Sequence, residues 1–266
     1  MAAPEERRLR LWQGRIETDV LIEGAGAPLV YLHGPWGLGP DRDFVARLAA
    51  SHTVYAPRHP GTSRGNPDAV HELADWLDLV VYYGELFDTL KLSAPVVVGH
   101  SFGGMVAAEI AATMPGSVSR LVLIDPVGLW RDDRPVRNWM ILPDAERRRV
   151  LFAEPDGAAA KRFFALPEDA AARAEALAGF VWAQACTGKF VWPIPDRGLK
   201  KRTHRIAAPT LIVWGKADGV IAPGYAEDFA RAIAGARIAL IDGAGHLPQI
   251  ERPEPVVRAV EGFLGA

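Results

Sequence analysis

One nine-residue stretch constrains this chain more than any other: Val96-Val97-Val98-Gly99-His100-Ser101-Phe102-Gly103-Gly104. Three β-branched residues stop at a glycine, a serine follows two positions later, and two more glycines open a segment of small residues running to Met114. The spacing Gly-x-Ser-x-Gly between a buried strand and a helix demands a sharp turn. A serine at such a turn is held in a strained conformation, with its hydroxyl pushed out at the sheet edge. The glycines let backbone approach backbone where a Cβ would collide. The helix after the turn aims its first N–H groups at the same spot, where negative charge is stabilised.

Other short apolar runs repeat the strand half of this pattern. Pro28–His33, Arg120–Asp125, Pro209–Trp214 and Ala236–Ile241 are too short for helices and too uniformly apolar for half-exposed strands. Arg8–Trp12, Arg15–Leu21 and Thr53–Ala56 read as further strands. Between them, Asp41–Ala50, His71–Leu92, Phe102–Met114, Gly224–Ile233 and Pro255–Leu264 carry helical spacing. Strands alternating with crossovers of a dozen residues or more predict an α/β fold with a parallel sheet and helices on both faces. Pro126–His204 breaks the alternation and reads as a helical insertion between two strands.

Thirty Lys plus Arg against 32 Asp plus Glu leave a net charge of −2, which argues against a protein that grips nucleic acid or anionic lipid. The lone Cys186 and the charged, apolar-poor start predict a reducing, cytoplasmic setting without a signal peptide. No run is long enough for a membrane span. Zinc spacings, a Walker loop and a complete dinucleotide fingerprint are all missing from the sequence, so no cofactor or metal is expected.

Ser101 needs a base, and the base needs an acid. His246 stands apart from the other six histidines because it lies in Gly243-Ala244-Gly245-His246, just past the last strand, in a loop able to reach over the sheet edge. His59 and His71 fall in or near polar turns, and His204 in a basic stretch. Asp218 follows the strand ending at Trp214 and is the first candidate acid. Asp125, at the end of the strand after the Phe102–Met114 helix, is its rival, while Asp242 is too near His246 in sequence for an easy approach.

In the order Ser101, Asp218, His246, with His33-Gly34 after an earlier strand, the sequence resembles the α/β-hydrolase superfamily over nearly its whole length. Its look is that of compact bacterial serine esterases and hydrolases of aromatic ring-cleavage products. The resemblance implies a mostly parallel eight-stranded sheet with a helical cap inserted after the sixth strand, which makes 1–125 and 205–266 the core and 126–204 the cap. It also implies a serine nucleophile and a backbone oxyanion hole. Two positions depart from the family pattern. Pro35 stands where the second oxyanion donor usually lies and has no N–H, so either the loop shifts and Trp36 N–H joins Phe102 N–H, or Phe102 N–H works with less help. Arg58 stands where a structural acid is usual.

Four tryptophans and five phenylalanines fall within the insertion, so an apolar acyl or aryl group suits its walls better than a sugar or phosphate. Trp130, Trp139 and Met140 are the expected lining. The basic runs Arg147–Arg149 and Lys200–Arg202 could attract an acidic substrate, but runs of this kind usually face solvent. The expected function is cofactor-independent cleavage of a small-to-medium apolar carboxylic ester, by a monomer or homodimer with a small-molecule substrate. Two alternatives stand beside it: carbon–carbon bond hydrolysis of a vinylogous diketone acid, and a non-catalytic ligand-binding member of the fold.

Overall fold

The computed structural model describes residues 4–193 and 195–265. An antiparallel hairpin, β1 (Glu5–Leu11) and β2 (Ile16–Gly24), starts the sheet. β3 (Ala27–Leu32), helix α1 (Arg42–Leu48), β4 (His52–Pro57), α2 (Trp76–Thr89), β5 (Val96–His100), α3 (Phe102–Thr113) and β6 (Arg120–Ile124) come next. After β6 come α4 (Asp144–Leu151), α5 (Ala158–Phe163) and α6 (Ala170–Val191). The chain then returns to the sheet through β7 (Thr210–Gly215), α7 (Tyr225–Ala232), β8 (Arg237–Ile241), α8 (Pro248–Glu251) and α9 (Pro253–Leu264). The eight strands lie in the order β1-β2-β4-β3-β5-β6-β7-β8. β2 runs antiparallel to both of its neighbours, and every pair from β4 to β8 is parallel.

Side chains alternate across each strand. Val30, Leu32, Val97, Leu121, Leu123, Ile212 and Trp214 point to one face, where they meet residues of α2, α3 and α7. Leu29, Tyr31, Val98, Val122, Ile124, Leu211 and Val213 point to the other and pack on α1 and α9. Every residue of α3 from Phe102 to Ala112 is buried. The strand ends stand level: His100 pairs with Ile124, Ile124 with Val213, and Gly215 with Ile241. The turns after β5, β6 and β7 therefore open side by side at the carboxyl edge of the sheet, where ligands bind in open parallel sheets.

One helix is shorter than its spacing predicts. In place of a helix over His71–Leu92, a 3-10 turn spans Pro67–Glu72 and α2 starts at Trp76. Asp75 is the reason, because its carboxylate accepts from the N–H groups of Leu77 and Asp78 at 2.8 and 3.1 Å. A cap of that kind starts a helix, so Leu73 belongs to the preceding turn despite its apolar spacing.

The basic run before β7 is not a free surface. Arg202 donates through Nε to Glu109 Oε2 at 2.9 Å and through Nη2 to Oε1, and Glu109 is buried on α3. This pair ties the return from the inserted helices to the helix behind Ser101. Removing one partner of a buried ion pair strands the other charge, at a cost of about 3 kcal/mol or more. Arg202→Ala is therefore expected to lower stability by about 3 kcal/mol in urea melts. Adding Glu109→Leu should recover most of that loss, since no unpaired carboxylate then remains.

Candidate active site

Ser101 follows β5 with φ 52° and ψ −112°, a conformation costing a non-glycine residue of order 1–3 kcal/mol. Its neighbours over-determine it. Its N–H donates to the Ile124 carbonyl at 2.9 Å, and its carbonyl accepts from Met105 N–H at 3.0 Å and Val127 N–H at 3.2 Å. α3 presses against β3 so closely that a Cβ on Gly103 would lie 2.0 Å from the Leu32 carbonyl oxygen. Only glycine fits there. Phe102 is the first residue of α3, so its N–H is among those the helix itself leaves without an acceptor.

His246 reaches the serine from the loop after β8. Its Nε2 lies 3.0 Å from Ser101 Oγ and its Nδ1 lies 2.8 Å from Asp218 Oδ2. A carboxylate only accepts, so Nδ1 carries the proton and Nε2 is left to accept from the serine hydroxyl. Asp218 Oδ1 takes the N–H groups of Val220 and Ile221 at 2.8 and 2.9 Å. Ser101, Asp218 and His246 are all buried. The rival Asp125 lies beside them and accepts the Gly215 N–H at 3.0 Å, whereas Asp242 pairs with Lys216 at the surface. A carboxylate oxygen of each of Asp125 and Asp218 and a nitrogen of His246 lie within 4.8 Å of one another, close enough to ligate a cation. Both oxygens of Asp218 are already committed to N–H donors, which favours a hydrogen-bonded arrangement over a metal site.

The inserted helices hold the two loops that carry His246 and Asp218. At the end of α4, Leu151 O accepts His246 N–H at 2.8 Å and Val150 O accepts Gly219 N–H at 3.1 Å. Helix ends leave such carbonyls unpaired, and here the loops use them. Glu251 completes the fastening by accepting from Gly245 N–H at 2.5 Å and Ala153 N–H at 2.9 Å. The two backbone-carbonyl contacts have no residue signature. Sequence reasoning misses them for that reason.

Aromatic rings close over the imidazole. The Trp36 and Trp139 rings lie 5.9 and 6.1 Å from His246, and Phe163 meets Trp36 edge-on at 5.7 Å. Met140 lines a groove of about 540 Å³ with Phe163, Phe164, Leu177, Phe180 and Val181. Trp130 is not brought to the triad. It lines a different cavity with Arg131, Lys200 and Asp228, and its indole N–H donates to Asp132 at 2.8 Å. Arg147, expected to face solvent, donates to the carbonyls of Trp139 and Leu142 at 3.2 and 2.9 Å and so anchors the turn that carries Trp139.

Residues 29–259 match the family model described as the alpha/beta hydrolase family. The chain belongs to that family. A putative carbamate hydrolase RutD of Pseudomonas savastanoi pv. phaseolicola is 28% identical over 261 residues, covering 91% of this chain and 95% of the relative. A pimeloyl-[acyl-carrier protein] methyl ester esterase of Aromatoleum aromaticum is 29% identical over 252 residues, covering 89% and 97%. Among solved structures, a hydrolase from Pseudomonas aeruginosa PA01 shares the fold, with a TM-score of 0.76, 24% identity and coverage of 98% and 99%. No helix among the described residues is long and apolar enough to cross a membrane.

Behind the triad of this family member lies a histidine cluster that sequence reasoning does not find. His59, expected in a polar turn, is buried. Its Nε2 donates to the His33 carbonyl at 2.7 Å, its Nδ1 accepts from Tyr83, and its ring lies 4.8 Å from that of Phe102. The turn is roofed by α6, whose Trp182 indole donates to Gly61 O at 2.8 Å. His100 donates from Nε2 to the His246 carbonyl at 2.8 Å. Burial, reinforced by His246, pushes His100 down to about 3. Burial also brings His59 down to about 4 and holds His33 well below the usual imidazole range.

These neutral histidines make the fold acid-sensitive. Between their folded values and about 6.5, the unfolded imidazoles bind more protons than the folded ones, so the histidine contribution to stability is full above pH about 6.5 and falls below it. Each histidine contributes about 1.4 kcal/mol per pH unit across its window. Asp41, raised by burial to about 6, and Asp125 and Glu251, also raised by burial, act in the opposite direction and offset part of the histidine contribution. Calorimetry is expected to show Tm falling steadily from pH 6.5 to 5; a flat Tm over that interval would mean the imidazoles are not held neutral.

Proposed function

We propose that this protein is a cofactor-independent serine hydrolase that cleaves a small-to-medium apolar carboxylic ester through an acyl-enzyme on Ser101. The observation that carries this reading is the unbroken line from Ser101 Oγ to His246 Nε2 at 3.0 Å and from His246 Nδ1 to Asp218 Oδ2 at 2.8 Å. A serine hydroxyl is a weak nucleophile until a base takes its proton. His246 Nε2 takes it as Oγ attacks the ester carbonyl, and Asp218 holds the imidazole in the required tautomer and stabilises the imidazolium that forms. The charge developing on the carbonyl oxygen falls to Phe102 N–H at the start of α3, with Trp36 N–H as the second donor in place of Pro35. The imidazolium then protonates the leaving alcohol, and a water activated by the same nitrogen releases the acid.

An apolar substrate is favoured by what surrounds the base. The rings in contact with His246 are those of Trp36, His100 and Trp139, and the groove beyond Phe163 is walled mainly by phenylalanine and aliphatic side chains, with Asp144, Arg147 and Arg148 among them. Arg148 lies over the Phe164 ring, and the two arginines lining that groove favour a diketone bearing a carboxylate as the second reading. The segment between β6 and β7 serves as the cap, with Met140 and Trp139 on the substrate's path. The named activity of the methyl ester esterase relative points the same way.

A fluorophosphonate is expected to label Ser101 stoichiometrically, as read by intact-mass spectrometry, and a folded protein that stays unlabelled overturns the proposal. Ser101→Ala should abolish labelling and lower kcat by several orders of magnitude with little change in Tm. Asp218→Asn should lower kcat by about 10³-fold or more, well beyond the effect of Asp125→Asn; the reverse ranking would move the acid's role to β6. A panel of nitrophenyl esters graded by acyl length then locates the substrate size.

A further inference from the structure

Asp125 is a buried acid that the triad does not account for. It sits directly after β6, fully buried, with φ 41°, a conformation rare for any residue but glycine. Its N–H donates to the Val213 carbonyl at 3.0 Å and its Oδ1 accepts Gly215 N–H at 3.0 Å, so both β7 and the turn leading to Asp218 hold it in place. Its other oxygen, Oδ2, is buried and meets no donor among the described residues. Beside it lies Asp218, within the cluster whose oxygens and imidazole nitrogen are all within 4.8 Å of one another.

Two carboxylates this close and this deep in the protein cannot both stay charged, because burial disfavours each anion and each repels the other. The hydrogen bonds decide which one keeps its charge. Asp218 receives three donors, Val220 N–H, Ile221 N–H and His246 Nδ1–H, whereas Asp125 receives only the Gly215 N–H. Asp218 is the anion. Asp125 holds the proton, and that proton gives its unpartnered Oδ2 something to donate.

We propose that Asp125 is a neutral carboxylic acid whose hydroxyl donates to the Asp218 carboxylate, making it a positioning residue that adds a fourth member to the line of Ser101, His246 and Asp218. This rests on the triad reading given above. Burial first, and the Asp218 charge second, push the Asp125 carboxyl well above the usual carboxylate range. The other titratable groups around the pair leave that assignment intact. Glu251 reinforces the proton on Asp125, His100 is neutral and turned to the His246 carbonyl, and His246 presents its N–H to Asp218. A neutral donor here fixes the rotamer of Asp218 and draws off part of its charge, so the carboxylate orients the imidazole without binding its proton too tightly. No bond is made or broken at Asp125 during turnover.

Two measurements on the resting, substrate-free protein test this, so they do not depend on esterase activity. Infrared difference spectra of wild type against Asp125→Asn at pH 8 should contain the carbonyl stretch of a protonated carboxylic acid, present only in wild type. NMR titration of the His246 ring nitrogens should give the same midpoint in wild type and Asp125→Asn, because the asparagine amide still donates to Asp218 while its oxygen accepts Gly215 N–H. Asp125→Val keeps the bulk and removes the donor; it should raise the His246 midpoint by about one unit, a tenfold change in proton affinity, and lower kcat about tenfold with KM unchanged. Absence of the carboxylic-acid band overturns the proposal. So does a His246 midpoint that drops by more than a unit in Asp125→Asn, which would mean a second ionised carboxylate had been removed. If Asp125→Val fails to fold, the band and the asparagine titration still decide. A wild type that shows both signatures but takes no fluorophosphonate label would sink the hydrolase reading alone.

Discussion

The imidazole of His246 is held from every side, and the architecture is arranged around that fact. Asp218 takes its Nδ1 proton, Ser101 approaches its Nε2, Leu151 O accepts its backbone N–H and His100 donates to its carbonyl. The partners arrive from three places in the chain: the turn after β7, the turn after β5 with the last residue of that strand, and the end of α4. Level strand ends bring the first two to one height. The third comes from outside the sheet. A base fixed to within a few tenths of an ångström is what general-base chemistry requires, and no single element here supplies it.

Burial makes those contacts effective and also makes them obligatory. Ser101, Asp218, His246, Asp125, His100, His59 and His33 all lie in the interior. An unpaired polar group at such depth costs about 1–3 kcal/mol, so the hydrogen-bond network around the triad contributes to stability as well as to geometry. His33, His59 and His100 stay neutral there and act as directional donors and acceptors. The strain at Ser101 persists because its N–H and C=O are tied to β6 and to the start of the chain beyond it.

Much of this is readable in the sequence, and the reasons are physical. The turns after β5 and β7 and the loop after β8 carry glycines with a serine, an acid and a histidine, so the convergence of Ser101, Asp218 and His246 follows once the strands are taken as parallel. Choosing between Asp218 and Asp125 is beyond composition or spacing, since both end strands at the same edge; only the 2.8 Å contact of Asp218 with His246 separates them. His59 escapes sequence reasoning because polar turn chemistry does not reveal that a helix more than a hundred residues away will cover the turn. Trp130 misleads for the converse reason: a tryptophan near the sheet edge can face away from it. The carbonyls of Val150 and Leu151 are illegible in principle, as every residue has one.

Those two carbonyls bear on how this architecture diversifies. An inserted segment whose only task was to select substrates could be exchanged between relatives as a module. Here the segment also supplies part of the scaffold for the loops of His246 and Asp218, so a transplanted insertion must end a helix at the same height with two free carbonyls facing inward. A chimera lacking that feature would lose its reactive alignment before its selectivity changed. Swaps that keep Asp144–Leu151 and replace only the later helices leave the engine intact while the choice of cargo drifts.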